Sequence, residues 1–394
     1  MSGHSPSTLY VPDRPAWRAE PNYSPSVAAA LKQVYSYLRS HPNGRPAAVH
    51  PNSLPAAFKT YAIAGPHRRR RMTSQQRMNL HYALAQSAAR MGEAGIAYEM
   101  LDHALEQSTL LHDRGSTAEL LFLSGVIKRA NTHTRDSLRD LHASLDIIND
   151  VKGSRAAIEP RLELNVIIGI AHAMYFQTDY SAALRWLVEA RQLQAFAPAA
   201  DLEPYFIEWI EALVLRSMGQ PERALPVLTS IAAHVDSLPS PGALARVNTA
   251  IADVALDLAE RARDRGEERA LEPLFKLAQI HALKGEALGD TYFDEPGAMI
   301  ARLTLVRHSL LSASDKNRSG LTMSALKFAE NTQDAFLLAQ ARTAQAQELL
   351  ARGKDEVARD LLRLVVTTSA ATDAPFIGEA AKKLLLATGG FEGW

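Results

Sequence analysis

Near the end of the chain, Arg352-Gly353-Lys354-Asp355-Glu356-Val357-Ala358 separates two stretches of helical apolar periodicity. Ala346 lies upstream of this break. Ala358 follows twelve positions later, Leu362 four beyond that and Val365 three further on. The glycine marks a turn between two helices, and the spacing states how they pack. Where two helices of a hairpin cross, only small side chains let the backbones approach, and a bulky residue one turn on fills the adjoining groove.

The same spacing recurs upstream. Ala85, Ala97, Leu101 and Ala104 fit it, as do Gly125, Ser137, Leu141 and Ser144. Two further sets are Ala171, Ala183, Leu187 and Ala190, then Ala212, Ala224, Leu228 and Ile231. A lone hairpin cannot bury its apolar face, so such units must stack on one another. In this spacing, and in the turn Met91-Gly92-Glu93-Ala94-Gly95-Ile96-Ala97, the chain resembles the tetratricopeptide repeat family. Leucine stands where that family places an aromatic residue. Successive second-helix anchors lie 40, 46 and 41 residues apart, against a family period of about 34. Residues 241–335 fit poorly, with Leu258 where a small residue belongs. Long-helix arrays of this kind resemble those of bacterial peptide-sensing regulators.

The expected fold is all-α, a right-handed α-solenoid of antiparallel helix pairs. It spans residues 73–394 in roughly seven pairs, opening at Thr73, which with Gln76 has the form of a capping box. Ahead of it, residues 1–72 hold ten of the lysines and arginines but only two acids, and residues 1–66 hold ten of the 20 prolines. Proline blocks helix interiors, so this basic arm is read as largely irregular, with one short helix from Ser26 to Ser40.

Composition removes several function classes. Without cysteine there is no disulfide framework, thiolate metal site or cysteine nucleophile. The longest apolar run, Val166 to Phe176, is far short of the roughly 20 residues a membrane span needs. Cytoplasm is the expected location. No phosphate-cradling glycine loop or GxSxG elbow occurs, and no two histidines lie three or four residues apart to chelate a metal from one helix. Asp315 to Gly320 opens like a calcium loop, yet its twelfth position is Leu326 rather than a bidentate glutamate. Neither a metal nor a cofactor is expected.

The resemblance implies that first helices line a concave face along which ligands lie. One helical stripe on those helices selects Asn79, Tyr82 and Gln86; Glu119, Phe122 and Arg129; Asn165, His172 and Tyr175; and Phe206, Trp209 and Arg216. Amides pair with a peptide backbone and rings accept its apolar side chains. The leading expectation is a non-enzymatic polypeptide-binding scaffold or sensor with a protein or peptide partner; a homodimer is compatible with it. A second reading is a peptide-responsive regulator. Its output would pass through Arg68, Arg69, Arg70 and Arg71 of the arm to nucleic-acid phosphates or to another protein. A third, an all-helical enzyme, requires a buried carboxylate or histidine cluster within residues 241–335.

Overall fold

The computed structural model describes residues 73–389 apart from 76, 79–80, 83–84, 86–93, 153–157, 159, 196–202, 236–240, 293–294, 313–318, 333, 371 and 373. The basic run, the Ser26–Ser40 segment, Asn79, Gln86 and the start of the calcium-loop look-alike therefore fall outside the described residues.

Helical residues appear between 74 and 85, immediately after Thr73. Fourteen helices follow among the described residues: α1 (Ala94–Leu110), α2 (Arg114–Ala130), α3 (Thr134–Val151), α4 (Pro160–Phe176), α5 (Tyr180–Gln194), α6 (Glu203–Ser217), α7 (Pro221–Val235), α8 (Pro241–Asp264), α9 (Glu268–Tyr292), α10 (Glu295–Leu311), α11 (Ser319–Thr332), α12 (Ala335–Ala351), α13 (Asp355–Ala370) and α14 (Glu379–Ala387). A 3-10 turn, Pro375–Gly378, precedes the last of them. No strand occurs among the described residues.

Helices pack as consecutive pairs, α2 with α3, α4 with α5, and so on to α12 with α13. The first helix of each pair also touches the first helix of the next, from α2 through α4, α6, α8 and α10 to α12. This row forms the inner wall of a right-handed, tetratricopeptide-like solenoid. The main apolar core draws on residues from Ala118 to Leu385, and a second cluster of Ala252, Ala255, Leu256, Ala278, Ala282 and Leu305 joins α8, α9 and α10, in keeping with nearest-neighbour stacking.

Turn chemistry sets the pair boundaries. Asp113, Asp179 and Asp334 cap α2, α5 and α12 by accepting from the backbone N–H three residues on, satisfying an orphan donor of the first turn. Gly353 takes φ +69° at the break from which the fold was read, a left-handed conformation that favours glycine.

The small anchors behave as close-packing residues. Ala85, Ala97, Ala171, Ala183, Ala212, Ala224, Ala346 and Ala358 are all fully buried. A Cβ added to Gly125 would stand 2.6 Å from Leu141 Cγ, so this crossing admits glycine alone. In the poorly fitting segment the device is relocated. Helices α8 and α9 are 24 and 25 residues long, and their tight contacts are made by Gly285 and Gly289 of the second helix. A Cβ at Gly289 would lie 2.8 Å from the backbone nitrogen of Ala298, which cannot yield as a side chain could. Gly289→Ala is expected to destabilise the protein by about 1–3 kcal/mol despite alanine's better helix propensity. A urea unfolding midpoint measures it.

The solenoid also closes on itself. The 3-10 turn after α13 reaches back to α4, two hundred residues earlier in the chain. There Phe376 meets Phe176 at 4.5 Å between centroids, Tyr175 at 5.3 Å and Phe336 of α12 at 5.5 Å. Phe376 is wholly buried, so this contact is core.

Candidate functional site

The stripe expected to line the inner wall divides into residues used for packing and residues with unfilled capacity. Tyr82 is buried, and its hydroxyl donates to Glu119 Oε1 of α2 at 2.8 Å. His172 packs edge-to-face against Phe176 and Trp209, with centroids 5.3 and 5.4 Å away. Tyr175 lies under Phe376, accepts from Ser217 Oγ at 3.4 Å, and has its phenol pushed up to about 12 by burial. These aromatic groups join the inner ends of α4 and α6 to the C-terminal turn.

Arg216 has a different task. Its side chain is 4% exposed and donates to Asp257 at 2.6 Å and Asp253 at 3.4 Å, both on α8. Arg307 of α10 pairs with Asp257 at 2.7 Å and Glu260 at 2.8 Å, and Thr304 donates to Asp253 at 3.0 Å. Three successive inner helices are thereby tied together. Tyr82, Tyr175 and Arg216 are thus engaged inside the protein and leave the candidate site.

This ion network is the buried carboxylate cluster that an enzymatic reading of residues 241–335 requires, and its electrostatics tell against proton transfer. Burial opposes ionisation of Asp257, but the guanidinium groups of Arg216 and Arg307 overcome it and hold that carboxyl far below the usual carboxylate range. Burial likewise disfavours charge on Arg216, and Asp257 and Asp253 more than restore it. A general acid or base needs a pKa near the working pH; these groups are locked in their charged forms. Among the described residues no group of three His, Asp or Glu side chains is placed to hold a metal ion.

What remains is a patch formed by α2 and α4. Asn165 and Gly169 share one face of α4 by their four-residue spacing, and the Phe122 ring of α2 lies beside Gly169. Asn165 is 8% exposed and makes no side-chain hydrogen bond among the described residues. Arg129, one heptad beyond Phe122, donates from Nη1 to the Gly169 carbonyl at 3.5 Å. Phe206 of α6 is half-buried and leans on Trp209 at 6.3 Å. Facing these is Arg246 of α8, close enough for its charge to act on Arg129. Helices α2 and α8 belong to pairs three steps apart.

Arg246 escaped the sequence reading because the stripe was counted from small anchors, and α8 has none at the expected position. The available signal was polar periodicity within an apolar helix: Arg246, Asp253 and Asp257 recur at spacings of seven and four.

No protein-family model matches the sequence, and no curated protein matches it. Solved structures do. The chain is similar to a Rap protein complexed with Competence and Sporulation Factor, at TM-score 0.62 and 14% identity over 92% of this chain and 86% of that one. It is also similar to the Rap conjugation gene regulator of the plasmid pLS20 in complex with the Phr* peptide, at TM-score 0.57 and 12% identity over 93% and 98%. Aspartyl phosphate phosphatase F from Bacillus subtilis matches at TM-score 0.55 and 13% identity over 88% and 85%. At such identities the likeness is one of fold. Among the described residues no helix is long and apolar enough to cross a membrane.

Proposed function

We propose that this protein is a peptide-binding regulator scaffold whose inner wall, at α2, α4 and α6, receives an extended polypeptide segment. The observation that carries this reading is the Asn165 side chain. It lies one helical turn before Gly169, against which the Phe122 ring packs, and has no hydrogen-bond partner among the described residues. An amide offers one acceptor and two donors, the complement of a peptide's own N–H and C=O groups. Asn165 is not among the side chains whose polar atoms are buried without a partner, so its amide meets solvent and can exchange water for a ligand's groups. Phe122 of α2 and the half-buried Phe206 of α6 would supply apolar surface for side chains of a ligand. Two proteins of similar fold were solved with a bound factor or peptide, which supports the same reading.

Selection from a library of short unstructured peptides on the full-length protein tests it. The expected result is enrichment of a related set of sequences. Asn165→Ala should then weaken binding of the selected peptides by about tenfold or more, since two hydrogen bonds of about 1 kcal/mol each are lost. Helicity by circular dichroism should stay unchanged. Enriched peptides that bind Asn165→Ala as tightly as the parent would move the site elsewhere.

A further inference from the structure

Helix α9 is the longest of the described helices and packs on α8 and α10. One face accounts for that packing: Ala278, Ala282, Gly285 and Gly289 are buried, at intervals of four, three and four residues. The opposite face repeats the rhythm. Lys276, Ile280, Leu283, Ala287 and Asp290 follow at intervals of four, three, four and three, and all five are exposed. Such a row lies in one stripe along a helix. The solvent side of a helix is ordinarily polar, yet the middle three residues of this stripe are apolar. Ile280 is 52% exposed and Leu283 46%, although each is worth about 1.5–3 kcal/mol when buried.

The charges at the two ends of the stripe say what covers it. Lys276 makes no ion pair among the described residues. Asp290 receives Arg302 at 2.9 Å, but its side chain is half exposed, and a carboxylate accepts more than one donor. Leu283 stands seven residues from each of them. The stripe is therefore complementary to its own reverse. A second α9 laid antiparallel on the first sets Lys276 of each against Asp290 of the other, with apolar side chains between. Laid parallel, it would set like charge against like. Complementarity of a patch to itself is what a closed two-fold interface requires; an unrelated partner requires no such symmetry.

We infer that two copies of this chain associate through the outward stripe of α9, antiparallel, about a two-fold axis beside Leu283. Ile280, Leu283 and Ala287 form the dry centre, and the Lys276–Asp290 pairs at either end fix the direction. Helix α9 is the second of its pair and lies outside the row of inner helices, so the association leaves the inner wall open. One helix per copy makes a small interface, and the dimer is a reversible one with a dissociation constant in the micromolar range.

The test is sedentation-free of any ligand: full-length protein is followed by analytical ultracentrifugation from about 1 to 200 μM, a span that brackets micromolar association. The parent should pass from monomer to dimer, and Leu283→Lys should weaken the dimer about tenfold or more with an unchanged urea midpoint, since the residue is outside the core. Lys276→Asp and Asp290→Lys should each weaken it about fivefold, and the two together should restore it. The chain has no cysteine, so Leu283→Cys and Arg269→Cys each carry one thiol. A short bismaleimide should join two copies through position 283 and not through position 269, which lies fourteen residues, about 21 Å, from the axis along the helix. A parent that stays monomeric, or a dimer indifferent to Leu283→Lys, would overturn the inference. Failure of the double charge exchange to restore the dimer would overturn the antiparallel pairing. A monomeric parent in which the Leu283→Cys thiol alkylates more slowly than that of Arg269→Cys would assign the stripe to another segment of the same chain, and would equally overturn it.

Discussion

Phe376→Ala is expected to lower the unfolding free energy by about 3–5 kcal/mol, the range for deleting a fully buried phenylalanine. The ring stands where the chain's end meets α4. Phe176, Tyr175 and Phe336 all lose a packing partner when it goes. Solenoids derive stability from nearest-neighbour contacts, and this contact is exceptional in joining α4 to the segment after α13. Its loss should therefore change cooperativity as well as midpoint. A single urea transition in the parent should broaden, with the C-terminal helices becoming susceptible to protease first. A variant that unfolds like the parent would show that the closure contributes nothing to holding the array together.

The second large effect falls on the buried ion network. Arg216→Ala leaves Asp253 and part of Asp257 without a counter-charge inside the protein, and removal of one partner from such a group costs about 3–5 kcal/mol. Much of this is the penalty of the stranded acid, so Arg216→Ala combined with Asp253→Ala should be less damaging than the single changes sum to. The same network fixes the sign of a pH effect. The Asp257 carboxyl is depressed in the folded state, so its contribution is fully present above the unfolded carboxylate value, about 3.9, and is lost as pH falls below it. Stability should be level between pH 7 and about 5 and fall on further acidification, less steeply in Asp257→Asn.

Much of the architecture was legible in the sequence because pair packing is local. A small residue, another twelve positions on and a bulky residue four later all belong to one hairpin. The buried alanines at 97, 183, 224 and 358 show that a short-range spacing is enough to locate each crossing. Residues 241–335 resisted because the close approach there is made from α9, by Gly285 against α8 and by Gly289 against α10. A glycine in the second helix does the work of a small residue in the first, and a template counted from the first helix misses it.

The candidate site was less legible for a related reason. Helical spacing identifies which residues share a face and says nothing of what lies opposite. Phe122, Arg129, Asn165 and Phe206 were selected from their own helices. That Phe376 would cover Tyr175, or that Arg246 would confront Arg129, depends on how far the solenoid curves between pairs. Curvature is the accumulated outcome of many small rotations, and no local pattern encodes it.

Hydrogen exchange on the full-length protein, with and without a saturating selected peptide, reads the location of the ligand directly. Slowed exchange in α2, α4 and the start of α8, with the outer helices α3, α5 and α7 unchanged, is the predicted outcome. Protection confined to those outer helices, with α4 exchanging as before, would contradict an inner-wall site.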